Sequence, residues 1–348
     1  SGSSEFPAAS NLLQDRLYLN DGKGNFEIKP NALPDMITAG SCVVANDYDK
    51  DGDLDLFVGG RVSPGSYPLS PKSYLLRNEH GVFVDVSATE LPQSGKVGMV
   101  TAALWTDYNN DGWTDLMITG EFMPVMFIRN ESGKLNFKSP DILPNSSGWW
   151  NCITASDFDY DGDIDYVVGN LGQNSRHHAS PKEPLCIYAK EKEKNGRVDP
   201  VMCYYVQGKN YIYPSRDEII RQMPAARGRF PTYKDFASVT FEEAFTSEEL
   251  KGATIVKAEC WESSYFENKG KGIFLRQALP LLSQTSPIFG MLSGDFNSDG
   301  KLDILVTGNS GSTEVSTGAY DAMNGLLLGG DGKGNFESLD VVQSGLNI

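Results

Sequence analysis

The chain has 348 residues, 40% of them hydrophobic, and its 36 glycines and 18 prolines favour many short strands joined by tight turns. Its formal net charge of −16 repels phosphate backbones and argues against a nucleic-acid partner. No run approaches the roughly 20 apolar residues that a membrane-spanning helix needs, so we expect no transmembrane segment in this chain.

The first predicted element is a hairpin at residues 17–28, and similar hairpins recur later in the chain. An acidic pattern of nine residues lies ahead of most of them, at residues 47–55, 107–115, 157–165 and 295–303, which we name acidic loops 1 to 4. A β-rich segment precedes each loop, and an apolar strand that ends in glycine follows it. Four-stranded units that recur at roughly 40–60 residues are typical of propeller blades.

These units predict an all-β fold, a single β-propeller of six or seven four-stranded blades over residues 1–348. The chain begins with a hairpin that lacks an acidic loop and stops soon after another hairpin. We expect either that the two ends complete one blade between them or that the chain is a fragment of a longer propeller.

Residues 207–252 break this repeat. Ser215 with Glu218 and Thr240 with Glu243 have the spacing of capping boxes, which predict the starts of short helices. A segment of about 45 residues buries little core of its own. We therefore interpret it as a helical insertion within one blade rather than as a separate domain.

The spacing within each acidic loop is the spacing that a hard cation needs. Oxygens at positions 1, 3, 5 and 9 converge if the chain turns sharply at position 6, which is glycine in every loop. Position 7 has no common side-chain chemistry, so its ligand must be the main-chain carbonyl. Several carboxylates favour calcium over zinc or copper, and magnesium would resist losing its waters. The predicted ligands are Asp47, Asp49, Asp51, Asp53, Asp55, Asp107, Asn109, Asp111, Trp113, Asp115, Asp157, Asp159, Asp161, Asp163, Asp165, Asp295, Asn297, Asp299, Lys301 and Asp303.

A fifth, degenerate copy of the pattern lies at residues 191–199, where lysines intrude. Its weaker candidate ligands are Glu191, Glu193, Asn195, Arg197 and Asp199. We expect about four calcium ions, or five if this copy also binds one. The aspartates of the four strong loops equal in number the whole net charge of −16, so calcium should act as a folding ligand.

The acidic loops, each followed by a strand that ends in glycine, resemble the FG-GAP/VCBS repeats of integrin α-subunit propellers and bacterial surface proteins. Residues 17–26 and 286–291 resemble more narrowly the cartilage-acidic-protein-related VCBS proteins of Bacteroidetes. The resemblance covers nearly the whole chain, although residues 171–260 depart from it. It implies calcium bound between the first and second strands of a blade, and an extracytoplasmic location: cell surface, secreted or periplasmic.

The loops between second and third strands vary most, and in a propeller they lie on the face opposite the calcium loops. The candidate ligand-face residues are Arg61, Glu121, Asn170 and Asn309, which follow strand-ending glycines, and Arg216 and Arg221 of the basic insertion. Arg176, His177 and His178 share one such loop, where we expect solvated side chains rather than a metal site.

The predicted function is a calcium-stabilised binding or adhesion module for a protein or glycan partner. We find no GxSxG, HExxH or phosphate-loop motif, and only three histidines, so we expect no catalytic residues. One alternative is a calcium-dependent polysaccharide lyase that uses Glu121 or Arg61, and another is a purely structural module of a larger surface protein.

The five cysteines form no CxxC pair, and we expect them to be buried free thiols.

Overall fold

A computed structural model describes residues 6–7, 9–190, 198–311, 313 and 317–346. The protein is mostly β, with 38% of residues in strands and 13% in helices, and the predicted all-β class is confirmed. The N-terminal part holds a 3₁₀ turn at Asn11–Leu13 and an exposed hairpin of β1 (Tyr18–Asn20) and β2 (Phe26–Ile28).

The first two large sheets each begin with a pair of long antiparallel strands. Sheet 1 contains β3 (Ala39–Asn46), β4 (Asp55–Val62), β5 (Tyr74–Glu79) and β6 (Val82–Asp85) in chain order. Helix α1 (Ser87–Glu90) and a 3₁₀ turn (Pro92–Gly95) follow it. Sheet 2 contains β7 (Met99–Thr106), β8 (Asp115–Met123), β9 (Met126–Ile128) and β10 (Asp141–Ile142), and β11 (Gly148–Trp149) also pairs with β8.

Sheet 3 is interrupted by a long insertion. It starts with β12 (Cys152–Ser156) and β13 (Asp165–Gly169). The insertion contributes a sheet of its own, with β14 (Leu185–Lys190), β15 (Asp199–Val206), β16 (Lys209–Ile212), the helices α2 (Arg216–Gln222), α3 (Ala226–Arg229), α4 (Tyr233–Ser238), α5 (Phe241–Ala244) and α6 (Ser247–Leu250), and then β17 (Thr254–Ala258). Strands β18 (Ser264–Asn268) and β19 (Phe274–Ala278) complete sheet 3, and a 3₁₀ turn follows at Leu281–Gln284.

Sheet 4 closes the described chain with β20 (Gly290–Gly294), β21 (Asp303–Thr307), β22 (Leu326–Gly330), β23 (Phe336–Leu339) and helix α7 (Val341–Ser344). The described residues therefore form four sheets that carry acidic loops, one inserted sheet and one hairpin. This is fewer than the six or seven blades that the sequence predicts, and no closed sheet is detected among the described residues.

The insertion differs from its prediction in extent. The helices lie within residues 207–252, as expected, and the predicted capping boxes at Ser215 and Thr240 are both present. However, the helices connect two strands of the inserted sheet, and they pack on that sheet through Ile219, Phe230 and Phe241. The insertion thus spans the whole segment between β13 and β18, and it has an apolar core that helices alone would lack.

An aromatic residue at position 2 of each acidic loop marks the packing between sheets. Tyr48, Tyr108 and Phe158 are each only 1% exposed. Each lies in the apolar core between its own sheet and the next sheet along the chain. Phe296, the equivalent residue of loop 4, is 43% exposed. The four sheets therefore stack in chain order, and the outer face of sheet 4 has no such neighbour among the described residues.

The glycines that the sequence places at the end of each second strand allow the first strand to pass close by, although β4 and β8 continue beyond them. A Cβ added to Gly120 would lie 1.9 Å from the carbonyl oxygen of Met99. We expect Gly120→Ala to destabilise the protein by about 3 kcal/mol, because backbone must move to relieve this overlap. Gly228→Ala in α3 is the control, since a Cβ there meets nothing within 4 Å. Thermal melting of both variants checks the prediction, which fails if the two behave alike.

Candidate functional site

The four acidic loops share one internal hydrogen-bond pattern. In loop 1, the Asp47 carboxylate accepts from the N–H groups of Asp51 (3.0 Å) and Gly52 (3.1 Å). Asp107, Asp157 and Asp295 accept from the corresponding N–H groups of loops 2, 3 and 4. Position 6 has a positive φ in all four loops, between 82° and 97°. The sharp turn that the spacing requires is therefore formed, and it gathers the carboxylates on its inner side.

The aspartate at position 9 anchors each loop to the body of its sheet. Asp55, Asp115, Asp165 and Asp303 are all 0% exposed. One carboxylate oxygen of each accepts a main-chain N–H from the third strand, for example from Asn78 (2.8 Å) in sheet 1. Each loop is thus fixed at its buried end by a charged side chain.

The second carboxylate oxygen of two of these anchors is left without a partner. Oδ2 of Asp55 and Oδ2 of Asp115 are buried and accept no hydrogen bond of normal geometry, because the N–H groups of Tyr48 and Tyr108 interact with these carboxyls only weakly. Burial raises the pKa of Asp55 to about 6 and that of Asp115 to about 7. A buried, unpaired carboxylate oxygen is costly unless a cation or a proton compensates it.

The carboxylates lie close enough together to hold a cation. In loop 1, oxygens of Asp47, Asp49 and Asp55 lie within 4.8 Å of one another, and loop 3 repeats this cluster with Asp157, Asp159 and Asp165. Burial, and then the charge of Asp165, raises the pKa of Asp159 to about 6. Loops 2 and 4 have Asn109 and Asn297 at position 3, so an amide oxygen replaces one carboxylate there. The donor set of all four loops fits a calcium ion.

At position 7 the side chains of loops 1 and 2 contact groups outside the cluster, whereas the Lys301 ammonium of loop 4 lies 3.8 Å from the Asp299 carboxylate. The carboxylate of Asp53 accepts from the His80 N–H, and Trp113 lies under the ammonium of Lys50 at 4.1 Å from the ring centroid. The predicted role of the position 7 carbonyl stays a prediction, but these side chains have other contacts. The fifth, degenerate loop lies outside the described residues at Glu191, Glu193, Asn195 and Arg197, while Asp199 begins β15.

Successive acidic loops contact one another through position 4. Lys50 donates to the Gly112 carbonyl of loop 2 (2.8 Å), Asn110 to Asp163 of loop 3 (2.5 Å), and Tyr160 to the Gly300 carbonyl of loop 4 (3.1 Å). Each of these residues has a positive φ, which directs its side chain toward the next loop. The four loops therefore form one connected acidic face.

Buried asparagines at the end of the third strand provide a second connection between sheets. The Asn130 amide donates to the carbonyls of Tyr48 in loop 1 (2.8 Å) and of Thr114 in its own sheet (2.9 Å), and its oxygen accepts from the Gly133 N–H. Asn268 makes the same bridge to Tyr108 in loop 2 (2.8 Å). One side chain thus satisfies main-chain groups of two neighbouring sheets.

A cavity of about 990 Å³ lies at the other end of the four sheets. The first strand of each sheet runs toward its acidic loop, so the starts of these strands lie at the opposite end. The cavity is lined there by Ser41, Thr101, Asn151 and Phe289. The inserted sheet and α2 form one wall, with Met202, Tyr213, Glu218 and Gln222.

The candidate ligand-face residues differ in where they lie. Arg61 lines the cavity, and its guanidinium binds Glu121 through Nε (2.8 Å) and Nη2 (2.6 Å). The Glu121 side chain is only 3% exposed. Asn170 is fully buried and holds the main chain at Trp149 and Cys260, while Asn309 bonds both main-chain groups of Met323. Of these four, the structure gives Arg61 alone an open surface on the cavity.

The basic residues of the insertion lie apart from this cavity. Arg216 and Arg221 line a separate groove of about 680 Å³ with Arg227. Arg216 is already held by the carbonyls of Phe230 (2.8 Å) and Pro231 (3.1 Å). Much of its hydrogen-bonding capacity therefore serves the fold of the insertion.

His177 was expected to be solvated together with His178, and this is right for His178 and wrong for His177. The His177 ring packs on Tyr213 and Trp261, with centroids 5.0 Å and 6.4 Å away, and its Nδ1 is buried without a partner. The Trp149 ring contacts Trp261 in the same aromatic group, with ring centroids 6.4 Å apart. This group could not be predicted from local spacing because its members come from distant segments, although the paired tryptophans at 149 and 150 are a visible signal.

The buried His177 should make stability depend on pH. Burial, and then the charges of Arg176 and His178, lower its pKa from 6.5 to about 4. The unfolded chain therefore takes up a proton below pH 6.5 that the folded protein binds only near pH 4, so stability falls as the pH falls through this window. Allowing for partial exposure of the ring, we expect a loss of about 2 kcal/mol.

Urea denaturation of wild type and His177→Gln at pH 7 and pH 4.5 measures this contribution. The variant should lose less stability on acidification than the wild type. His178→Gln, an exposed neighbour whose charge is the smallest of the three causes, should lose nearly as much stability as the wild type. Equal losses in the wild type and in His177→Gln would contradict the prediction.

Within the described residues, no helix is both long and apolar enough to cross a bilayer.

Residues 8–58 and 107–168 match the family model of the FG-GAP-like repeat, and these segments contain acidic loops 1, 2 and 3. This confirms the predicted resemblance to FG-GAP repeats. No curated protein matches the chain.

Two solved structures are distantly similar to this chain. One is an Agrocybe aegerita lectin described for its recognition of non-reducing terminal N-acetylglucosamine, with 14% identity and a TM-score of 0.32 over 95% of this chain and 76% of the lectin. The other is the V. cholerae biofilm matrix protein Bap1, with 11% identity and a TM-score of 0.32. That match covers 92% of this chain and 64% of the matrix protein.

Proposed function

Because the chain carries FG-GAP-like repeats, we propose that it is a calcium-stabilised, extracytoplasmic binding module for a glycan or protein ligand. The observation that carries this proposal is the cavity of about 990 Å³ at the end of the sheets opposite the acidic loops. Its volume lies near the upper end of the range for ligand sites, about 300–1,000 Å³. The ligand enters this cavity, while the acidic face at the other end holds calcium.

Calcium would be held by positions 1, 3, 5 and 9 of each acidic loop. The clustered carboxylates and the unpartnered oxygens of Asp55 and Asp115 support this assignment. The ion would neutralise the loops and so stabilise the fold. Exposed loops of this kind suit the millimolar calcium found outside cells, which favours an extracytoplasmic location.

The pairing of charged groups around the cavity favours binding over catalysis. Glu121, the candidate acid or base of a lyase, is buried against Arg61 at 2.6 Å. A general base needs an open path to the proton that it removes. The Glu218 carboxylate is likewise occupied, since it accepts from the Ser215 N–H at 2.7 Å in a capping box.

Filling the cavity tests this function. We expect Asn151→Trp to abolish binding to an oligosaccharide array and to a panel of purified extracellular matrix proteins, because the indole occupies the ligand space. Lys134→Trp adds the same side chain at an exposed position near acidic loop 1 and should leave binding unchanged. The proposal fails if wild type and Asn151→Trp bind every probe equally.

A further inference from the structure

We infer that the cavity binds a neutral, hydroxyl-rich saccharide rather than an anionic one. This inference rests on the proposed binding function and names its ligand class. It departs from the expectation that basic residues recruit an anionic partner, and three features of the cavity support it: its charge balance, its aromatic walls and its neutral polar groups.

Acidic and basic side chains both line the cavity. Arg61 is neutralised by Glu121, with Nη2 and Oε1 separated by 2.6 Å. The second arginine, Arg176, lies over the Tyr213 ring at 5.2 Å from its centroid, and the carboxylate of Glu218 lines the same wall. An anionic sugar would have to compete with Glu121 for Arg61, and near Arg176 it would meet the charge of the Glu218 carboxylate. A neutral ligand avoids that cost.

Aromatic rings form part of the lining. Trp149 is half-buried, packed on Phe122 with ring centroids 5.6 Å apart, so part of its indole faces the cavity. Phe289 and Tyr320 line the cavity as well, and Phe289 is 51% exposed. Flat, rigid rings with a polar edge suit ligands that present both an apolar C–H face and hydroxyl groups. A pyranose ring has this combination.

Uncharged polar side chains complete the lining. Thr101 donates its hydroxyl to the Trp150 carbonyl at 2.7 Å, which leaves its oxygen as an acceptor for a ligand hydroxyl. Asn151 and Gln222 add amide groups that both donate and accept. Hydroxyl groups of a sugar need such mixed partners, whereas a carboxylate or sulfate needs donors only. The volume leaves room for more than one sugar ring.

The experiment is calorimetric titration of the calcium-loaded full chain with neutral hexose and N-acetylhexosamine oligosaccharides, and with uronate-containing and sulfated ones. We expect neutral probes to bind and the anionic probes to bind at least about tenfold more weakly. Trp149→Leu should weaken the binding of the neutral probe by about tenfold or more. Phe26→Leu, which removes an exposed aromatic ring from the hairpin of β1 and β2, should have no effect.

Each outcome separates this inference from the function on which it rests. Preferred binding of anionic probes that Asn151→Trp abolishes would overturn the neutral-sugar inference and keep the binding module. Binding of a protein probe alone, if it is lost in Asn151→Trp, would also overturn the neutral-sugar inference and keep the binding module. If Trp149→Leu does not fold, Asn151→Ala replaces it, and unchanged affinity for the neutral probe in that variant would also overturn the inference. Binding unaffected by Asn151→Trp would overturn both.

Discussion

Adding 1 mM calcium to metal-free protein is expected to raise the melting temperature by on the order of 10 °C, and EDTA should reverse the change. The reason is the crowding of carboxylates in the four loops, whose buried anchors Asp55 and Asp115 each retain an unpartnered oxygen. A cation that binds the folded loops and not the unfolded chain stabilises the folded state. Thermal melting with and without EDTA measures this shift.

The variant Asp115→Asn gives a sharper calcium test, because its effect on stability should have opposite signs in EDTA and in calcium. In EDTA it removes a buried, unpaired carboxylate, so it should stabilise the protein by about 1 kcal/mol. In calcium it weakens one site and should reduce the calcium-induced gain. Asp21→Asn, in the turn between β1 and β2, alters an acid outside the loops and should leave the calcium shift intact. A melting temperature that neither calcium nor EDTA changes would refute the metal assignment.

Replacing Asn130 with alanine is expected to destabilise the protein by about 3 kcal/mol. The amide satisfies three main-chain groups, of which the Tyr48 carbonyl belongs to acidic loop 1 and the others to sheet 2. Alanine leaves these groups without a partner at a site that is only 1% exposed. Loss of the bridge should also loosen loop 1, so the variant should need more calcium to reach its maximum stability.

Asn78→Ala provides the matched control for this variant. Asn78 occupies the same place in sheet 1, but its side chain bonds only Leu54 and Gly81 of its own sheet, at a more exposed site. We expect a loss of about 1 kcal/mol there. Asn268→Ala should behave like Asn130→Ala, because it removes the bridge between sheets 2 and 3. Urea denaturation of the three variants checks the ranking, and equal losses would mean that the bridge between sheets adds nothing.

The acidic loops could be located from the sequence because their chemistry is local. Nine consecutive residues contain the carboxylates, the turn glycine and the buried anchor, so spacing alone identifies them. The aromatic residue at position 2 was present in the same pattern, but its role depends on the adjacent sheet. That role became visible only when Tyr48 and Phe296 could be compared in three dimensions.

The insertion and the cavity depend on contacts between distant segments. Asp199, predicted as the last ligand of a degenerate loop, begins a strand that pairs with β14, just as the position 9 aspartates of the other loops begin strands. The partner of β14 on its other side is β17, which follows the helices. His177 meets Tyr213 and Trp261 in the same way, across the insertion. Local spacing contains no information about such pairings, so the sequence predicted helices there but not the sheet that they cover.

The interruption of sheet 3 has a consequence for the order in which the chain acquires its structure. Strand β13 pairs with β18, so that Val168 lies beside Ser264 and the whole insertion forms the intervening loop. The entropic cost of closing such a loop grows only slowly with its length, and the pairing of β14 with β17 lowers it by bringing the two ends of the insertion together. During synthesis, sheets 1 and 2 emerge complete and can fold early. The residues that hold the Asp165 anchor, Tyr265 and Asn268, follow the insertion, so we expect acidic loop 3 to gain its full calcium stabilisation after loops 1 and 2.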